Sequence, residues 1–587
     1  MHISGNFNKT PYVEVKGFEK ESWEGWGQIS LALRKAVKGT SRNGQVVIVE
    51  TYQGIHMEKL QEQFTNIFEP AIFIHTAEIF KSEDEIRRIT QPDVTDDRIF
   101  GYMTRLEMMD LVDSQKLGNA RKKVTDSKGV VLIFGYGASL VCDNPALMVY
   151  ADMARWEIQL RMRRGEVDNL GIRNRGEGIE KQYKRGFFVD WRICDRLKKD
   201  TMASWDFLLD SNDKNNPKLI SANALRAGME QAAKQPFSVV PFFDPGPWGG
   251  QWMKEQFDLE KDPENYAWCF NCVPEENSLL LGFGELRVEI PSINIVFFQG
   301  RKLLGDPVHA RFGDEFPIRF DYLDTMDGGN LSLQVHPLTG YIQEKFGMHY
   351  TQDESYYILE AGGDGSVYLG LKEGIDPSKM IKELKVAEAN GTSFPVSRFV
   401  EKWPAKKHDH FLIPGGTIHC SGANSMVLEI SATPYIFTFK LFDWDRLNLD
   451  GKPRPININH GIKNIQWDRT TNWTKKNLVN RIEEVASGDG WTEERTGLHE
   501  REFIETRRHW FSKTVTHHTN GGVNVLTLVE GDEIVVESPE DAFEPFVIHY
   551  AETFIVPAAV GAYTIQPHGP SRGKKCGTVK AFVRVNP

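Results

Sequence analysis

A chain of 587 residues, 26% charged and 40% hydrophobic, has the composition of folded globular protein, and its length predicts about three or four domains. Its 70 basic and 81 acidic residues give a formal charge of −11, which argues against a broad nucleic-acid surface. No apolar run reaches the roughly 18 residues of a membrane-spanning helix, the opening residues lack a basic-then-apolar signal, and six cysteines make no disulfide framework; a cytoplasmic protein with free thiols and no membrane partner is expected.

Three strand-like apolar runs, residues 46–49, 71–74 and 130–134, alternate with charged, helix-like stretches up to about residue 230. That rhythm predicts an α/β module with a parallel sheet over residues 1–234. A helix is predicted over 145–164, with Asn144 as cap, Pro145 in the first turn, Gly165 at the exit, and Leu147, Ala151, Ala154, Ile158 and Met162 on one stripe. Off that stripe lie Arg155, Arg161, Arg163 and Arg164, followed by Lys181, Lys184, Arg185 and Arg192. The layout is similar to the strand-and-basic-lid plan of nucleoside or nucleotide kinases. However, the first strand runs into Glu50-Thr51-Tyr52-Gln53-Gly54, and a Gly-x-x-x-x-Gly-Lys-Ser/Thr phosphate loop occurs nowhere in the chain. The arginines therefore read as solvated surface or interface.

Residues 235–247, rich in Pro and Phe, open a region of short strands and frequent Gly and Asp turns. This predicts all-β barrels or sandwiches. Cys269 and Cys272 form a lone Cys-x-x-Cys without the second ligand pair of a zinc ribbon. Residues 307–316 read as a loop, and 461–505 as a polar insertion with helical spacing over 475–485. A last β module, 506–587, repeats the rhythm of the first barrel, 235–460, without its metal-type residues. Since both barrels and every candidate ligand lie beyond residue 235, that piece is expected to fold without the first module.

Residues 330–337 read Asn-Leu-Ser-Leu-Gln-Val-His-Pro, Glu354 follows 18 positions after His336, and His419 ends the run Ile-Pro-Gly-Gly-Thr-Ile-His. In a strand, Gln334 and His336 point to one face. Two imidazoles, a carboxylate and an amide from three segments suit Zn²⁺ or another borderline divalent ion, one per chain, in a catalytic rather than a structural site.

These residues and others in order resemble the class I mannose-6-phosphate isomerases, zinc-dependent cupins (jelly-roll barrels), over about residues 235–587. The matching pieces are 247–250 (Pro-Trp-Gly-Gly), 303–306 with 310–317, 331–337, Glu354 with Tyr357, 368–374, 413–422, 428–430, 442–446 and 450–454. The resemblance implies Gln334, His336, Glu354 and His419 as metal ligands, Ser332 as a sugar-phosphate contact, Arg446 as a rim residue near substrate, and Glu429 as a pocket carboxylate serving as proton-transfer base or as support for a ligand. It departs at two positions. Gln352 stands where the family commonly has a phosphate-contacting Lys, and Lys440 where it has an Arg, which keeps the charge but loses the planar fork.

The expected function is zinc-dependent isomerisation of a small sugar phosphate, mannose 6-phosphate to fructose 6-phosphate, by enediol proton transfer. Two other readings are a sugar or nucleoside kinase in the first module, and a metal-binding sugar sensor without turnover.

Overall fold

The computed structural model describes residues 5–38, 45–390, 392–433, 437–446, 454–497, 499 and 502–585; the matching piece at residues 450–453 lies outside them. The first module is built on a seven-stranded sheet ordered Ser22–Glu24, Lys218–Ser221, Phe207–Asp210, Leu147–Asp152, Val46–Thr51, Val131–Gly135, Ile72–His75. The last five of these pair in parallel and the first two antiparallel. Val46–Thr51, Leu147–Asp152 and Val131–Gly135 are buried at every position, as strands covered on both faces must be.

Leu147–Asp152 corrects the helix expected over 145–164, which is confined to Arg155–Arg163. A short apolar run carries no period that separates a doubly buried strand from a buried helix. Here pairing with Val46–Thr51 and Phe207–Asp210 decides it.

The basic cluster, expected as solvated surface or interface, divides: Arg163 and Arg164 are exposed, whereas Arg155 and Arg161 are buried. Arg155 and Arg161 are 2% and 1% exposed. Arg155 pairs with Asp195 and Glu275, and Arg161 donates to the carbonyls of Gly54 (3.1 Å), Ser211 (2.8 Å) and Asn212 (2.9 Å). The turn after the first parallel strand, where a kinase would hold phosphate, is filled by the chain itself. Tyr52 donates to Asp195 (2.9 Å), Trp191 donates to the buried Gln53 (2.9 Å), and a Cβ on Gly54 would lie 2.7 Å from Ile158. Glu50 occupies the backbone amides of Gly137 (2.7 Å) and Ser139 (2.8 Å). Nothing in this geometry favours the kinase reading.

The first barrel pairs a six-stranded sheet, His410–Ile413, Glu354–Ala361, Ser425–Ser431, Arg319–Asp324, Trp268–Cys272, Phe242–Asp244, with a five-stranded sheet, Val400–Pro404, Ser366–Leu371, His419–Ser421, Leu333–Val335, Phe439–Phe442. The second barrel has a six-stranded and a four-stranded sheet around their own apolar core. Its six-stranded sheet takes in Glu483–Gly488 and Trp491–Gly497. The helical insertion therefore shrinks to Ile458–Gly461 and Thr471–Asn477, and a boundary at 505/506 cuts the strand Ile504–Phe511. Residues 307–316, expected as a loop, contain the helix Asp306–Phe312, with Pro307 in its first turn.

First module and barrels share one apolar cluster. Tyr12–Glu14 adds a parallel strand to Ser278–Phe283. Lys198 lies 2.9 Å from Asp152 and 3.2 Å from Asn294. Phe100 packs on Phe437, Phe439 and Phe346 at 4.9, 5.3 and 5.3 Å between ring centres. These contacts weigh against the expectation of a freely separable barrel region.

Arg155 is a buried ionic cross-link between the two regions. Burial pushes the Asp195 carboxyl up, and Arg155 and Arg192 outweigh it and hold the group low. Arg155→Ala leaves Asp195 and Glu275 buried with one cation fewer. A thermal or denaturant melt is expected to show a loss of about 3–5 kcal/mol, the cost of breaking a buried pair.

Candidate metal centre

His336, Glu354 and His419 come from three segments and offer ligand atoms within 4.8 Å of one another. Gln334 lies opposite His419 in the antiparallel ladder, and Glu354 opens the strand of the facing sheet. All four are buried. The backbone fixes how both rings are presented. The Nδ1 of His336 lies 2.9 Å from the Phe437 carbonyl and that of His419 2.9 Å from the Thr417 carbonyl. A carbonyl can only accept, so each Nδ1 carries the hydrogen and each Nε2 faces inward. There they meet the two oxygens of Glu354, His336 Nε2 at 3.0 Å and His419 Nε2 at 2.9 Å. Gln334 brings its amide within 3.2 Å of the His419 Nε2; turned about its last bond, that amide offers its oxygen to the same point.

His336 Nε2 and Glu354 Oε1 are buried without a hydrogen-bond partner, which is the condition of atoms reserved for a cation. Burial alone would raise the Glu354 carboxyl, but the His336 and His419 rings, in their protonated form, pull it well below the carboxylate range; a bound cation would take over that role and leave both rings neutral. The donor set fits a divalent ion held by two neutral imidazoles, a carboxylate and an amide.

Around this group, Gln352 is a strut. Its amide donates to Glu354 (2.8 Å) and Glu429 (3.1 Å) and accepts from the Phe437 N–H (2.7 Å). Glu429 accepts from Ser431 (2.7 Å) and lies 3.5 Å from Arg319. Its carboxyl is pushed up to about 7, first by burial and then by Glu354. Lys440 is the ladder partner of Gln334, and burial, reinforced by Arg454, lowers its ammonium to about 8. Among the described residues no carboxylate lies within ion-pair range of it. Ser332 donates to Asp443 (2.7 Å), which also takes Arg446 and Arg454 at 3.0 Å each. Ser332 and Arg446 thus share one carboxylate at the far end of the strand Phe439–Phe442.

Sequence reasoning missed Arg319 and Asp321, an ion pair beside Glu429. Their signal was two opposite charges two apart in the strand Arg319–Asp324, hence on one face. It also missed that Phe437, whose carbonyl orients His336, packs against Phe100 of the first module.

A family model described as a domain of unknown function (DUF8485) matches residues 25–234. The mannose-6-phosphate isomerase of Streptococcus mutans is 25% identical over 229 residues, 39% of this chain and 66% of that protein. ManA, the mannose-6-phosphate isomerase of Bacillus subtilis, is 24% identical over 238 residues, 40% of this chain and 68% of its own. The chain thus spans about two thirds of the length of these relatives. Among solved structures, the mannose 6-phosphate isomerase from Bacillus subtilis aligns with 59% of this chain and 99% of its own at 18% identity and a TM-score of 0.48. A mutant of phosphomannose isomerase from Salmonella typhimurium aligns with 60% of this chain and 100% of its own at 13% identity and a TM-score of 0.45.

Proposed function

We propose that the chain is a metal-dependent aldose–ketose isomerase of sugar phosphates, converting mannose 6-phosphate to fructose 6-phosphate, with Zn²⁺ as the fitting ion. The observation that carries this reading is the pair of imidazoles whose Nδ1 hydrogens are spent on backbone carbonyls, so that both Nε2 atoms converge on Glu354. The relatives named above point to the same reaction. The region from residue 235 onward would form the isomerase, with 1–234 attached as its structural partner.

Gln334, His336, Glu354 and His419 would hold the ion, which when bound supplies Lewis-acid stabilisation of charge on a substrate oxygen. Isomerisation moves one proton between adjacent carbons. Glu429, whose carboxyl sits at about 7, is suited both to take that proton and to return it near neutral pH. Gln352 and Ser431 fix its carboxylate by hydrogen bonds, so the base is oriented before substrate arrives. Lys440, with its charge offset by no carboxylate in ion-pair range among the described residues, would attract the phosphate or the developing oxyanion. Ser332 and Arg446 would line the approach, held in place by Asp443. Running the reaction in deuterated water tests this: proton transfer through an enediol incorporates solvent deuterium at C1 of the fructose 6-phosphate formed, whereas a direct hydride shift from C2 to C1 does not.

Lys440→Ala is expected to lower turnover roughly 10²–10³-fold, the scale for removing one preorganised charge donor, with metal content unchanged. Because Lys440 titrates at about 8, its charge is present below that value, and activity depending on it should fall as pH rises through about 8. A pH–rate profile of wild type and variant reads both effects.

One observation favours a sensor without turnover. The Gln352 amide is engaged by Glu354, Glu429 and the Phe437 N–H, which leaves no cation at the position where the related family places one. Stoichiometric metal with no turnover of mannose 6-phosphate would establish that second reading.

A further inference from the structure

A cleft of about 730 Å³ opens between the first module and the first barrel, a volume in the range of small-molecule sites. None of Gln334, His336, Glu354, Glu429 or His419 lines it. The first module contributes the helix Trp191–Thr201, from which Arg192, Arg196 and Lys199 all reach the cleft; a spacing of four and then three places them on one helix face.

Most of the charges in the cleft are already matched. Glu275 is held by Arg155 and by Arg192 at 2.7 Å, Asp195 by Arg155, and Asp314 by Lys199 at 2.6 Å. Glu315 faces His349 at 3.5 Å. Two guanidinium groups are left over. Arg196 donates to the carbonyls of Thr104 (2.6 Å) and Leu106 (2.8 Å), the residues on either side of the exposed Arg105. Among the described residues neither Arg105 nor Arg196 has a carboxylate in ion-pair range. Arg196 uses two of its five N–H groups on those carbonyls, and both charges stand on the same stretch of cleft wall. Tyr102, Phe297, Phe312 and Tyr350 supply aromatic surface in the same cleft.

Excess planar cation is the partner of phosphate oxygens, which it meets bidentately, and aromatic faces take rings. We propose that this cleft binds a phosphate monoester carried on a ring, a sugar phosphate or a nucleoside monophosphate, separately from the metal centre.

Titration calorimetry on the full chain, stripped of metal with a chelator, tests it with three probes: mannose 6-phosphate, adenosine 5′-monophosphate and inorganic phosphate. Saturable binding of one organic phosphate, tighter than that of inorganic phosphate, is expected, and the first two probes tell the sugar from the nucleotide. Arg105→Glu should weaken it at least about tenfold, the scale of one hydrogen bond between charged groups. Arg105→Lys should weaken it less, and His336→Ala should leave it unchanged. Arg105 is exposed, so these substitutions leave the fold in place. The proposal is overturned by absence of binding at millimolar concentrations, by inorganic phosphate binding equally well, by binding that survives Arg105→Glu, or by its loss in His336→Ala.

Discussion

Replacing His336 or His419 by alanine is expected to strip the protein of its metal and, with it, of turnover of mannose 6-phosphate. Each ring is aimed by its own backbone carbonyl, Phe437 for one and Thr417 for the other, and no other imidazole joins Glu354 in the group found among the described residues. Loss of an outer partner of a metal ligand already costs roughly 10–100-fold in affinity; loss of a ligand should exceed that. Stability should change less than activity, because the other imidazole and the Gln352 amide still hold Glu354. Elemental analysis of the purified variants, alongside circular dichroism, checks both statements. Stoichiometric metal in both variants would refute the ligand assignment.

The second large effect is expected from removing residues 1–234. The strand Ser278–Phe283 would lose its parallel neighbour, and Glu275 would lose both Arg155 and Arg192. Asn294 would lose Lys198, and the rings of Phe346, Phe437 and Phe439 would lose Phe100. Apolar surface now covered by the first module would be exposed to water, and whole domains are stable by only about 5–15 kcal/mol. The fragment 235–587 should therefore be insoluble, or soluble without a cooperative melt. A soluble fragment with a sharp thermal transition and stoichiometric metal would show that the first module is dispensable to the fold.

The cluster that could hold a metal was legible because its residue types stand out in strand-like segments: Gln334 and His336 had to share a face, and Glu354 opens a strand; His419, read as ending its run, instead opens the strand His419–Ser421. The two-barrel plan was legible in the turn rhythm. What hid was everything set by tertiary contact. Leu147–Asp152 is apolar throughout, so only its neighbours make it a strand. Arg155 and Arg161 look like surface until Asp195, Glu275 and the carbonyls of Gly54, Ser211 and Asn212 close around them. Gln352 likewise reads as a lost lysine in the sequence, whereas folded it ties the ligand Glu354 to Glu429. Such roles depend on partners tens to hundreds of residues away, which no local pattern records.

The most direct test is to follow mannose 6-phosphate turnover by the full chain as isolated, after chelation, and after restoring Zn²⁺. A metal-dependent isomerase predicts fructose 6-phosphate formation that chelation abolishes and Zn²⁺ restores; turnover indifferent to chelation, or none from the fully metal-loaded protein, would contradict it.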